Sequence, residues 1–248
     1  MKQKTLFQTF FAGIAAFALC SAAQAHQIWL EQPEGENAVI RFGEFGENLR
    51  EASPGLLDNF GSPAATLFTK GEAKALAPVK TATGFALSVR AKAGESLTAE
   101  DAAFPIRAFQ RDGQEIRSWY WPAARLITDG AAQEPRLTFD ITPTGKAGEF
   151  RLTFKGQPLA RTEVNIVVQS GWSKSARSDK EGRVKFDLPW QGQYVVEASH
   201  VDRAPGERRG EKYNGINYVT TLTLVRPTGI APLPAPPAMK PNPGNPGQ

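Results

Sequence analysis

The amino-acid sequence predicts an all-β protein of two β-sandwich domains followed by a disordered, proline-rich tail. Apolar residues recur at a period of two from His26 to Arg226, with Gly, Pro, Asn and Asp between the runs. No long stretch carries the period of about 3.6 residues that marks an amphipathic helix. Beyond Arg226 prolines crowd the chain, removing ladder donors where too few large side chains remain to build a core.

The chain opens Met1-Lys2-Gln3-Lys4, continues as an apolar stretch from Leu6 to Ala22 and reaches Ala23-Gln24-Ala25, a small-x-small peptidase site. Residues 1–25 are therefore expected to be a cleavable signal peptide, and the mature protein to be periplasmic. Alanine dominates the apolar stretch and no basic flank follows it, which argues against a membrane anchor. Cys20, the chain's one cysteine, follows Phe17, Ala18 and Leu19 rather than the small residues of a lipoprotein signal. Cleavage would leave a chain without disulfides or thiolate metal sites. Loss of Lys2 and Lys4 would reduce the 29 basic residues to 27 against 25 acids. A nearly neutral exported chain with no Lys/Arg block is not suited to nucleic acid.

The N-terminal β domain is expected over residues 26–132. Its strands are read at His26–Leu30, Ala38–Phe42, Gly84–Val89 and Arg107–Gln110, with a short helix or irregular loop within Glu44–Phe60, where Asn48-Leu49-Arg50-Glu51 precedes the break at Pro54-Gly55. The boundary falls between Thr128 and Pro135. The second sandwich, residues 133–226, has runs at Leu137–Asp140, Glu149–Phe154, Gly156–Leu159, Glu163–Val168, Gly182–Phe186, Gly192–Ala198 and Tyr218–Leu224. The tail, 227–248, is read as disordered or polyproline-like.

Within the second half, Gly156-Gln157-Pro158-Leu159-Ala160, Val164-Asn165-Ile166, Ser178-Asp179-Lys180-Glu181-Gly182-Arg183-Val184 and Pro189-Trp190-Gln191-Gly192-Gln193-Tyr194 resemble the prealbumin-like sandwich of carboxypeptidase regulatory domains. These modules are mostly scaffolds. Taken with His26-Gln27-Ile28-Trp29-Leu30, His200-Val201-Asp202, Pro205-Gly206-Glu207 and Gly210-Glu211-Lys212-Tyr213, the mature chain resembles a periplasmic family of poorly defined function. That family is associated with nickel or cobalt uptake systems, so the resemblance implies a membrane metal transporter as partner.

Only two histidines exist, and His26 would become the first mature residue. A terminal amine, with a pKa of about 8, can chelate a metal together with its own imidazole. Adding the second imidazole, His200, would give three nitrogen donors, a histidine brace suited to Cu(II). Alternation places Tyr194, Val196, Ala198, His200 and Asp202 on one strand face, apolar until its end. His200 is then either a half-buried, hydrogen-bonded side chain or a ligand. Asp202 is read as a metal contact, an acceptor for the second ring proton or a turn cap. Glu207 and Glu211 lie on a polar loop where solvated charge is the default, with Glu207 an additional candidate contact for nickel or cobalt. Trp119 and Trp121 share a face, serving core packing or an exposed binding surface; Trp29 and Trp172 read as packing residues.

No phosphate loop or nucleophile elbow is present, the expected mature chain has no thiol, and Ser199 points away from His200, so binding rather than turnover is expected. The leading expectation is a periplasmic copper-, nickel- or cobalt-binding protein assisting metal uptake or delivery. Its rivals are a copper-dependent polysaccharide oxidase built on the same brace and a structural carbohydrate- or protein-binding module with incidental histidines.

Overall fold

The computed structural model describes residues 26–243, so the expected signal peptide and residues 244–248 lie outside the described residues. Strands β1 (Gln27–Glu31), β2 (Val39–Glu44) and β3 (Leu49–Arg50) precede a single 3-10 turn at Leu56–Asn59. Then come β4 (Ala64–Phe68), β5 (Ala73–Leu76), β6 (Val79–Thr81), β7 (Gly84–Ala86), β8 (Ser96–Glu100), β9 (Ile106–Arg111) and β10 (Gln114–Ile127). The second half contains β11 (Phe139–Pro143), β12 (Glu149–Phe154), β13 (Gln157–Pro158), β14 (Glu163–Val168), β15 (Ser173–Arg177) and β16 (Arg183–Lys185). It ends with β17 (Gly192–Asp202), β18 (Gly206–Arg208), β19 (Glu211–Tyr213) and β20 (Gly215–Arg226).

These strands stack as three layers. The middle layer is a nine-stranded sheet in the order β15-β14-β17-β20-β10-β8-β4-β5, with β9 paired to β10. One outer layer is β1-β2-β7-β6 with β3 on β2; the other is β11-β12-β13 with β16 on β12. Strand β10 shows how one sequence serves both interfaces. Tyr120, Ala124 and Leu126 pack with Ile28, Ile40 and Phe42 of the first outer layer. The alternate residues Trp119 and Ile127 pack with Phe139, Ile141 and Phe150 of the second. A strand covered on both faces needs apolar or internally paired side chains throughout, and Pro122–Ile127 is buried without interruption.

The two expected sandwiches therefore exist but share the middle sheet, joined where β10 pairs in parallel with β20 from Ser118↔Gly215 to Leu126↔Thr223. The segment between Thr128 and Pro135 is the irregular connection from β10 to β11. A buried ion pair reinforces this junction: Arg125 of β10 reaches Asp140 of β11 at 3.0 and 2.5 Å, and its other guanidinium nitrogen donates to Gln133 at 2.7 Å. Tight β9–β10 pairing is made by Asp112-Gly113, whose positive φ angles of 52° and 75° suit a two-residue hairpin turn.

The described part of the tail, residues 227–243, is extended and largely exposed, as its prolines require. It is also tied to the fold at two stations. Ile230 bridges Trp190, and Met239 bridges Leu49.

Candidate functional site

His26 precedes β1, a fully buried strand at one edge of the first outer layer. Tyr120 donates its hydroxyl to the His26 carbonyl oxygen at 2.6 Å, and Thr221 of β20 donates to the Ile28 carbonyl oxygen at 2.8 Å. Two long strands of the middle sheet thus fix the backbone of residues 26–28, so the imidazole is presented from a rigid base. Burial pushes the Tyr120 phenol well above its ordinary range, so it remains a hydroxyl donor across physiological pH.

The ring itself lies between two carboxylates. Nε2 is 2.6 Å from Glu51 Oε1, while Nδ1 is 3.3 Å from Glu44 Oε1. Phe42 packs against the ring with centroids 5.3 Å apart. Glu51 is fully buried and Glu44 half-buried, whereas 30% of the His26 side chain stays open to solvent. A neutral ring that donates Nε2–H to Glu51 carries its lone pair on Nδ1, facing Glu44. Burial raises the Glu44 carboxyl above its ordinary range; the His26 ring opposes this, and the charges of Glu47 and Glu51 add to it. Glu197 of β17 extends the acidic surroundings. It is buried, bonded to the side chains of Gln27 and Asn165, and likewise raised by its burial.

His200 lies elsewhere. On β17 its face contains Tyr194, Val196 and Ala198, which pack on Phe139 and Phe150, whereas Val195 points the other way to Trp29 and Phe45. The His200 ring sits 4.6 Å from Phe154 and 6.1 Å from Phe139, and burial lowers its pKa. Its placement where an apolar face opens to solvent agrees with the alternation of the sequence. The two histidines, however, occupy opposite faces of the middle sheet, so the three-nitrogen arrangement expected from the sequence is not formed.

Asp202 takes the turn-cap role: it accepts from the Ala204 amide at 3.1 Å and pairs with Lys155 at 3.1 Å, and these contacts lower its pKa in that order. Glu207 is exposed on the β18–β19 hairpin, and Glu211 pairs with Arg117. Trp119 is buried, with Arg208 lying 4.6 Å above its ring, and Trp121 is half-buried with its ring 4.6 Å from that of Trp119. These indoles pack between layers and form no exposed platform, because β10 is a central strand covered on both faces.

Among the described residues, no group of three or more His, Asp or Glu side chains converges by itself to hold a metal ion. The imidazole separates Glu44 from Glu51 instead of pointing with them at one centre. A donor set at this position needs the main-chain amine of His26. Donors in neighbouring positions on a metal with bonds near 2.1 Å stand about 3 Å apart, and Nδ1 and Glu44 Oε1 stand 3.3 Å apart. Glu44 and Glu51 escaped the sequence analysis because they fall in a segment read only as a loop or short helix. The β2–β3 pairing Glu44↔Leu49, which brings both carboxylates around His26, was the missing information.

The class defined by this fold and site is a three-layer β protein presenting one histidine between two carboxylates. The profile of one protein family, described as a domain of unknown function (DUF4198), matches residues 135–202, the span from just before β11 to the end of β17. The comparisons with curated proteins and with solved structures returned no match.

Proposed function

We propose that the mature chain is a periplasmic protein that binds a divalent transition metal, copper, nickel or cobalt, and assists its uptake or delivery to a membrane transporter. In this reading residues 1–25 are removed, and the amine and Nδ1 of His26 chelate the ion. Glu44 contributes an oxygen, and Glu51 holds the ring by accepting Nε2–H. A carboxylate behind a ligating imidazole fixes its orientation and raises its basicity. The prealbumin-like sandwich over residues 133–226 serves as scaffold. The carrying observation is the ring of the expected first mature residue, poised between Glu44 at 3.3 Å and Glu51 at 2.6 Å.

An amine, an imidazole and a carboxylate form a mixed nitrogen and oxygen set compatible with nickel and cobalt as well as copper. The polysaccharide-oxidase alternative receives no support from Trp119 and Trp121, which are engaged in packing. Metal analysis of the mature protein purified from the periplasm tests the reading. About one equivalent of a transition metal, lost when a residue is added before His26, is expected. Metal-free protein that also binds none of the three ions on titration would refute it.

A further inference from the structure

Glu51 is a fully buried carboxylate, and a buried anion is tolerated only when its oxygens are satisfied. One oxygen meets the His26 ring. The other, Oε2, accepts the backbone N–H of Asn242 at 2.9 Å, across 191 residues of sequence. This contact belongs to a docked run. Asn48 donates its side-chain amide to the Pro236 carbonyl at 2.8 Å, and the Met239 amide donates to the Asn48 carbonyl at 3.3 Å. The chain then passes so close to Gly55 that a Cβ there would stand 2.9 Å from the Asn242 carbonyl oxygen. Upstream, Ile230 exchanges two 2.8 Å backbone hydrogen bonds with Pro189 and Gln191. Residues 231–235 span the interval between these stations.

We infer that the C-terminal tail is a strap that docks beside the His26 site, fixes Glu51 through the Asn242 amide, and thereby couples tail docking to metal binding. The inference rests on the metal-binding reading above. The coupling runs through one chain of contacts: Asn242 N–H holds Glu51, Glu51 holds Nε2 of His26, and Nδ1 of the same ring faces the metal. Because coupling between two binding equilibria is reciprocal, a bound ion tightens the strap by the factor by which the strap tightens the ion. Any partner that captures residues 236–243 would weaken the site and promote release.

The test uses Ni(II) titration of the mature full-length chain, of the same chain with Asn242→Pro, which removes the donor N–H together with the Asn side chain, and of a chain ending at Ala235. Hydrogen exchange follows the tail amides with and without Ni(II). Both variants should bind about tenfold more weakly, the scale on which outer contacts to a metal ligand act. Ni(II) should slow exchange at Met239 and Asn242 in the full-length chain. Unchanged affinity in Asn242→Pro, or tail amides that exchange as fast as free peptide in both states, overturns the strap while leaving the metal site standing. If Ni(II) binding proves independent of the His26 amine, the metal reading fails and the coupling with it. Protection of the Asn242 amide in metal-free protein then separates a docked tail without a ligand from an undocked one.

Discussion

In the proposed metal site the two nitrogens of the His26 ring have different tasks. Glu44 is expected to act as donor and Glu51 as support. Glu44→Gln should weaken Ni(II) binding about tenfold, or about 1.4 kcal/mol, and Glu51→Gln should do so while lowering the apparent proton affinity seen in a pH series of titrations, because its charge no longer raises the Glu44 carboxyl. Burial holds the Glu44 carboxyl above its ordinary range, so protons compete with metal there. Affinity should therefore rise with pH through the Glu44 titration, and again as the amine, with a pKa of about 8, loses its proton. A flat profile from pH 5 to 8 would exclude both groups as donors. Glu197 provides a separate check on stability. Burial raises its folded-state pKa, so its neutral form favours the fold below the unfolded carboxylate range, and that contribution is lost as pH rises through the raised value. Glu197→Gln should thus raise the melting temperature at neutral pH and lose its advantage in acid.

At the scale of elements, β10 is the organising strand. The runs β12 and β14 were legible at their full extent, because Glu149–Phe154 and the first residues of Glu163–Val168 alternate apolar with polar side chains. Strands β4 and β5 were not. Ala64-Ala65-Thr66-Leu67-Phe68 and Ala73-Lys74-Ala75-Leu76 are rich in alanine, which has little β preference, and β5 is an exposed edge. The face of His200 was readable from alternation, but its separation from His26 was not, since periodicity says nothing of which layer covers which face. The Arg125–Asp140 pair shows the cost of connecting layers with charge. Arg125 and Asp140 have side chains 1% and 0% exposed, so Arg125→Met would leave a buried carboxylate without its cation. A loss of about 3–5 kcal/mol, measured by urea denaturation, is expected. A change under about 1 kcal/mol would mean that water reaches Asp140 freely.

Across the whole molecule, the shared sheet makes the two sandwiches one cooperative body. The β10–β20 ladder and the two cores on opposite faces of the same strands leave neither half complete alone. Circular dichroism and tryptophan fluorescence should report one coincident thermal transition, and residues 133–226 expressed alone should not fold, because β20 would lose its β10 partner. Two separated transitions would show that the halves are independent. In the proposed function it is the expected export step that completes the site, since only cleavage after Ala25 gives His26 a free amine. The most direct measurement is therefore Ni(II) or Cu(II) titration of mature chains that begin at His26, begin one residue earlier, or carry His200→Ala. If His26 anchors the site, the added residue weakens binding at least about tenfold while His200→Ala leaves it unchanged. Equal binding by the first two chains, or a loss caused by His200→Ala, would contradict it.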